Sequence, residues 1–193
     1  FTITQSFAWL FTSTVLQGSN TLIGLQGVFG ILVELPFFFA SKQIVNLIGL
    51  RSSIFWAGVA MVVRLLGYSW LKVETQWWVL GVELLHGLAF SLMWTAAVQF
   101  ANERAPVGMK NTAQGLVTGM FLGLGPGFGG IVGGFLVRTY GYHVTFRAGA
   151  GFMGVAIGLY GIIGVITWYR ERQRGKQLPD EEVVGAEVEG GRV

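Results

Sequence analysis

The sequence of 193 residues contains no cysteine and few charges. Without cysteine it has no disulfide scaffold and no thiolate metal site, and the redox compartment stays open. Charged residues make up 12% of the chain, about half of what soluble domains carry. The shortage is sharper than that figure, because eleven of the 23 charges crowd into residues 170–193 and leave twelve for the first 169. A water-soluble globule cannot cover itself with so few. No P-loop is present, so the chain does not power transport with ATP, and no cofactor motif occurs. No Asn-Pro dipeptide of the water-channel type and no potassium-filter stretch occurs, and two histidines without a nucleophile motif argue against an enzyme. The formal charge of +3 reflects basic residues at membrane edges and gives no sign of nucleic-acid binding.

What is present is apolar. Hydrophobic residues reach 52%, and no charge occurs from Phe1 to Val33. The chain reads as an all-α integral membrane protein whose main partner is the lipid bilayer. A span needs about 20 residues, and six segments fit, at about 1–17, 21–41, 52–71, 77–101, 112–137 and 144–169. The first is short and opens on Phe without a basic leader, so it is expected to start inside a helix of a longer protein. The Lys42…Arg51 stretch is expected to be a loop. Lys42, Arg51, Arg104, Lys110, Arg170, Arg172, Arg174 and Lys176 fall on one side of the resulting meander, against Lys72, Arg138 and Arg147 on the other, which makes the first side and the C-terminus cytoplasmic. Residues 170–193 form a tail, basic and then acidic, expected to be disordered.

Four ionisable residues fall inside spans, namely Glu34, Arg64, Glu83 and His86. Such groups are costly in hydrocarbon and face a cavity or a partner. Arg64 lies six residues before Trp70, and Glu83 six residues after Trp77, so both sit roughly 9 Å below the same interface. Equal depth and opposite sign predict an ion pair. His86 follows Glu83 by one turn on the same face. Glu34 has no basic residue evident at its depth and precedes Pro36, which loosens the helix. It is the leading candidate for a proton carrier. Gln26, Gln99, Asn102 and Gln114 could line a polar path. No metal-ligand cluster is expected. In the fifth segment Gly115, Gly119, Gly123 and Gly127 repeat every four residues, which predicts close packing against another helix of this bundle. Pro126 is a candidate hinge.

Several stretches together resemble a known pattern: Glu34-Leu-Pro-Phe-Phe-Phe, the Lys42…Ile48-Gly49-Leu-Arg51 region, Ala113-Gln-Gly-Leu-Val-Thr-Gly119, and Gly133-Gly-Phe-Leu136…Tyr140-Gly141…Phe146-Arg147. The chain resembles the C-terminal six-helix half of a major facilitator superfamily carrier, in the lactose-permease-like branch with its orphan eukaryotic relatives. Val63-Arg64-Leu65-Leu66-Gly67 is similar to that branch's Val-Arg-Ile-Ile-Gly. Where the next helix of the branch has Lys, His and Glu at three-residue steps, this chain has Glu83, His86 and Ala89. The Lys position is thus reversed in sign and the proton-carrying Glu is absent, so Glu83 or Glu34 would have to substitute. The resemblance implies a twelve-helix secondary transporter, a missing N-terminal half, and symport of a small polar solute with protons by alternating access. The competing expectation is a membrane scaffold or receptor that keeps the carrier fold without transporting.

Overall fold

The computed structural model describes residues 2–177. Among them the regular structure is entirely helical: α1 (Thr2–Thr14), α2 (Asn20–Ile48), α3 (Leu50–Trp70), α4 (Trp78–Arg104), α5 (Lys110–Thr118) and α6 (Gly125–Gln177). A 3-10 turn at Val73–Thr75 leads into α4, and a π-helical segment, Gly119–Leu124, joins α5 to α6. Phe1–Ile157 forms one compact unit and the chain from Gly158 onward a second.

The helices begin and end where local chemistry demands. Ser19 caps α2 by accepting the backbone N–H of Leu22 at 3.2 Å. The loop expected at Lys42…Arg51 does not form. The helix runs through Lys42 to Ile48, and a single residue, Gly49, separates it from α3. Gly49 has φ +84° and returns its N–H to the Val45 carbonyl, so one left-handed glycine turns the chain where a loop of several residues was expected. Gly141 does the same inside α6, with φ 80° and ψ 170°. That break matters because the apolar helical stretch Lys110–Arg170 is 61 residues long. An unbroken helix of that length would reach roughly 90 Å, about three times the hydrocarbon thickness.

Pro126 sits at the start of α6, just after the π-helical segment. The N–H of Gly125 bonds the Met120 carbonyl, five residues back. Proline lacks an N–H and its ring crowds the carbonyl four residues earlier, and the wider π turns carry the chain past that point. The candidate hinge at Pro126 thus directly follows a π-helical insertion.

Helix α4 is the centre of the first unit and packs most heavily on α2 and α3. Its contact with α2 closes to backbone distance at Gly87, where an added Cβ would lie 2.5 Å from the Glu34 nitrogen and 2.7 Å from the Val33 carbonyl carbon. The apolar core gathers Phe11 of α1, Met61, Leu65 and Tyr68 of α3, Val79 of α4, and Phe146 and Ala150 of α6. Tyr68 stacks on Phe146 with ring centroids 5.2 Å apart, and Phe11 meets Phe146 edge-on at 5.3 Å. The outside is apolar as well: Ile31, Leu32, Phe39, Leu122, Ile131 and Phe135 are all exposed. Surfaces of that kind suit hydrocarbon, where helices satisfy their own backbone groups.

Two expectations are corrected. The stripe Gly115, Gly119, Gly123 and Gly127 does not pack against another helix of this bundle. Each of these glycines has open space where a Cβ would stand. The close approach occurs instead at Gly87, a lone glycine with no repeat to advertise it. The disordered tail expected over 170–193 does not hold for its start, because α6 continues to Gln177. Its Arg-Glu-Arg-Gln-Arg run consists of strong helix formers. Within that end of α6, the Arg172 guanidinium lies 5.2 Å from the Trp168 ring centroid. The disorder expected beyond Gln177 lies outside the described residues.

Gly87→Ala is expected to destabilise the protein by about 1–3 kcal/mol, since its methyl group would meet backbone that has little freedom to move. Gly24→Ala on α2, where nothing lies within 4 Å, should be neutral or slightly stabilising through helix propensity. Denaturant unfolding in detergent, followed by circular dichroism, compares the two.

Candidate functional site

Helices α2, α3 and α4 meet at one carboxyl group, and α1 is tied to it through Gln26. Glu83 on α4 accepts a hydrogen bond from Arg64 Nη2 on α3 at 2.8 Å, the expected ion pair. Its other oxygen, Oε1, accepts from Gln26 Nε2 on α2 at 2.8 Å and from the Tyr68 hydroxyl on α3. Gln26 also donates to the Tyr68 oxygen at 3.1 Å, which uses both hydrogens of its amide. The Gln26 carbonyl lies 3.0 Å from Thr12 Oγ1 on α1, a hydroxyl whose single hydrogen is shared with the Ala8 carbonyl, also at 3.0 Å.

All of these groups are buried, and Arg64 is only 1% exposed. The pair could not be held this deep without partners on both sides. Three donors converge on Glu83, an acceptor on both oxygens. Arg64 adds a face-on contact, its guanidinium carbon 5.6 Å from the Tyr68 ring centroid. Its Nε and Nη1 have no hydrogen-bond partner among the described residues. Arg64 is therefore satisfied on one of its three nitrogens, and its planar fork is only partly used.

A second, looser pair lies beside this lock. His86 Nε2 is 3.8 Å from Glu34 Oε2. Glu34 therefore has a partner at its depth, contrary to the sequence expectation. That expectation searched for lysine and arginine and passed over histidine. The distance exceeds that of a hydrogen bond, and the Glu34 side chain is 24% exposed. Gly30 faces both pairs: a Cβ there would make ordinary contacts, 3.7 Å from the His86 ring and 3.9 Å from Glu83 Oε2. Gly30 and Glu34 are one turn apart on α2, and Gly87 follows His86 directly on α4. The closest backbone approach in the bundle is thus built around the Glu34–His86 contact.

Below His86 runs an aromatic row. Phe90 stacks on His86 at 5.7 Å and 22°, and Trp94 stacks on Phe90 at 6.1 Å and 24°. These three are successive turns of α4. Phe121, from the π-helical segment, reaches Phe90 at 5.9 Å and Trp94 at 5.5 Å, and Phe38 of α2 meets Phe90 edge-on at 5.7 Å. Ser41 and Thr95 join hydroxyls at 2.7 Å one turn further along the same helix pair.

The structure thus brings Glu34, Arg64, Glu83 and His86 into one neighbourhood. It leaves Gly115, Gly119, Gly123 and Gly127 on an open face. Of the candidate path residues only Gln26 reaches the cluster. Gln114 instead donates to Asn102 at 2.7 Å, and Gln99 to Glu103 at 2.9 Å. Sequence reasoning passed over Tyr68, Thr12, Gly30 and Gly87. Tyr68 could have been found, since it stands one turn after Arg64. The row Phe90–Trp94 was visible at four-residue steps after His86, but aromatic residues at helical spacing are common in apolar helices.

Comparison with known proteins shows the family. Residues 1–148 match the MFS_1 like family, and the chain belongs to it. It is an integral membrane protein of a transporter family. It is 29% identical to a maltose permease of Geobacillus stearothermophilus over 125 residues, 65% of this chain and 31% of that protein. It is 26% identical to the major facilitator superfamily domain-containing protein 6-like of Danio rerio over 118 residues, 61% of this chain and 21% of that protein. The matched region is thus less than a third of either relative. No solved structure matches the chain.

Removing one side of the buried pair should be worse than removing both. Arg64→Leu leaves Glu83 without its cation and should cost about 3–5 kcal/mol. Adding Glu83→Leu should recover most of that loss, because Gln26 and Tyr68 already bond one another. Denaturant midpoints of the single and double variants in detergent test the coupling.

Proposed function

We propose that the chain is the six-span C-terminal half of a twelve-helix secondary transporter, with its C-terminus cytoplasmic. It moves a small polar solute by alternating access and couples that movement to protons. In such carriers the substrate site lies near the bilayer midplane between repeats that rock about it. The observation that carries the reading is the pair of ionisable clusters inside apolar helices, one locked and one loose. Ionisable groups within membrane helices mark substrate and proton paths, and a static scaffold has no need of Glu34 and His86 held 3.8 Å apart. Membership of the MFS_1 like family and the likeness to a protein named as a permease support the same reading.

The parts divide by how tightly they are held. Glu83 and Arg64 form a fixed neutral unit that ties α1 to α4 together. Glu34 and His86 are the proton-handling groups, because neither is fixed by the other and Glu34 reaches an accessible surface. Pro126 and the π-helical segment before it form the joint at which α5 and the start of α6 bend. An N-terminal half supplies the remainder of the substrate site.

The test is uptake by the full-length protein in sealed vesicles with an imposed pH gradient. Gradient-driven accumulation is expected in the wild type and is expected to be lost in Glu34→Gln, while equilibrium exchange across the membrane persists. Unchanged gradient-driven accumulation in Glu34→Gln would remove Glu34 from the proton path. A folded protein that accumulates no solute under any gradient would point to the scaffold reading instead.

A further inference from the structure

The far end of α6 carries a different chemistry from the buried pairs. The helix leaves its apolar stretch at Trp168 and Tyr169, both more than half exposed, and stays helical to Gln177. Residues 170–177 contain four basic side chains, Arg170, Arg172, Arg174 and Lys176, against one acidic residue, Glu171. The helical backbone fixes their spacing, so Arg174 stands one turn after Arg170, and Lys176 one turn after Arg172. At about 1.5 Å per residue, Arg170 lies about 3 Å, Arg172 about 6 Å and Arg174 about 9 Å beyond Trp168 along the helix axis. The headgroup layer on one side of a bilayer is roughly 5–8 Å thick, and an interfacial tryptophan marks its base. The helix thus holds Arg170 and Arg172 at headgroup depth and carries Arg174 to the outer edge of that layer.

Orientation in the membrane asks only for basic residues near the ends of spans. It does not ask for them to be set on a rigid helix, or for Arg172 to lie over an indole. The Arg172 guanidinium carbon is 5.2 Å from the Trp168 ring centroid. That contact uses the face of the guanidinium, while its N–H donors radiate from the edge in its own plane. An arginine held against an interfacial tryptophan therefore keeps those donors at the depth where phosphate oxygens are the acceptors. Arg170 and Arg172 are both exposed. We propose that this end of α6 is a seat for anionic phospholipid. Arg170 and Arg172 bond the lipid phosphate, and Arg174 and Lys176 on the following turn add to the local positive charge. The acyl chains lie along the apolar exterior of the same helix, where Ile162, Val165 and Ile166 are exposed. A zwitterionic lipid has the same phosphate without the net charge and is held less tightly. With the C-terminus on the proposed cytoplasmic side, the seat belongs to the inner leaflet, whose surface is negative. This interaction goes beyond transport and does not depend on it.

The experiment uses the full-length protein in detergent micelles, titrated with phosphatidylglycerol or phosphatidylcholine of identical acyl chains, with bound lipid counted by native mass spectrometry. The wild type should retain phosphatidylglycerol over phosphatidylcholine, and added ammonium acetate should narrow the difference, because exposed charges are screened. One basic residue near an anionic surface is worth about a fivefold preference. Arg170→Gln combined with Arg172→Gln should therefore reduce the preference by about ten- to thirtyfold, and Arg174→Gln with Lys176→Gln by less. Lys42→Gln with Arg51→Gln removes the same net charge at exposed positions elsewhere and should change it little. Circular dichroism melting shows whether each variant is folded. If the Arg170 and Arg172 variant is not, the Arg174 and Lys176 variant decides, and an unchanged preference there overturns the proposal. Equal retention of both lipids by the wild type would also overturn it. So would a loss in the Lys42 and Arg51 variant as large as in the Arg170 and Arg172 variant, because the preference would then follow total charge and not this helix. Glycerol phosphate that displaces the lipid at equal concentration would replace the membrane seat with a site for soluble phosphate.

Discussion

A carboxylate buried among apolar helices has to be neutralised where it stands, and the bundle is organised around meeting that demand for Glu83. The helix that carries it, α4, is the one on which α2 and α3 pack most heavily. Each neighbour sends a donor: Gln26 from α2, and Arg64 and Tyr68 from α3. The short helix α1, with 13 residues, is tied to the same point through Thr12 and Gln26. Removing any of these donors leaves a polar atom without water to replace it, so the network fixes which faces of α1 to α4 meet. Tyr68 links it to the apolar core, because its ring stacks on Phe146 while its hydroxyl serves Glu83.

The same economy of space explains why two pairs so close together differ so much in tightness. Gly87 lets α2 and α4 touch backbone to backbone at Val33 and Glu34. Side chains leaving that point must pass along the helices rather than between them. Glu34 therefore meets His86 at 3.8 Å from the rim of the contact, with a quarter of its side chain exposed, whereas Glu83 on the inner side is enclosed. Among the described residues, Nε and Nη1 of Arg64 have no hydrogen-bond partner, so even the locked pair is not saturated.

Much of this was legible in the residues, and the parts that were not share a cause. The Arg64–Glu83 pair could be read because Trp70 and Trp77 mark depth, and depth with sign identifies partners on adjacent antiparallel helices. The membrane class and the family followed from charge scarcity and a handful of ordered motifs. The glycine stripe misled because periodicity reveals that a helix has a smooth face, not what lies opposite it. Gly87 has no period, yet an added Cβ there would meet the backbone of α2 at 2.5 Å. The turn residues were hidden for a related reason: Gly49 and Gly141 each break the helix alone, with φ near +80°, and nothing in their neighbours separates them from the other glycines of the chain. Histidine as the partner of Glu34 was missed because only permanently charged residues were weighed.

The division between a fixed pair and a loose one bears on how the proposed carrier could work at all. A group that reports a change of conformation must itself be free to change partners, yet a membrane helix bundle cannot tolerate many such groups. Concentrating permanent charge in Arg64 and Glu83, where each cancels the other, confines the cost of burial to one satisfied site. It leaves Glu34 and His86 as a described ionisable pair whose mutual distance, 3.8 Å, exceeds that of a hydrogen bond. They sit where α2 crosses α4 most closely and where the π-helical segment lays Phe121 against Phe90 and Trp94. A small rotation of either helix there would alter the Glu34–His86 distance and the aromatic wall together. In the proposed cycle, proton handling at Glu34 senses that movement because the group lies at that one crossing.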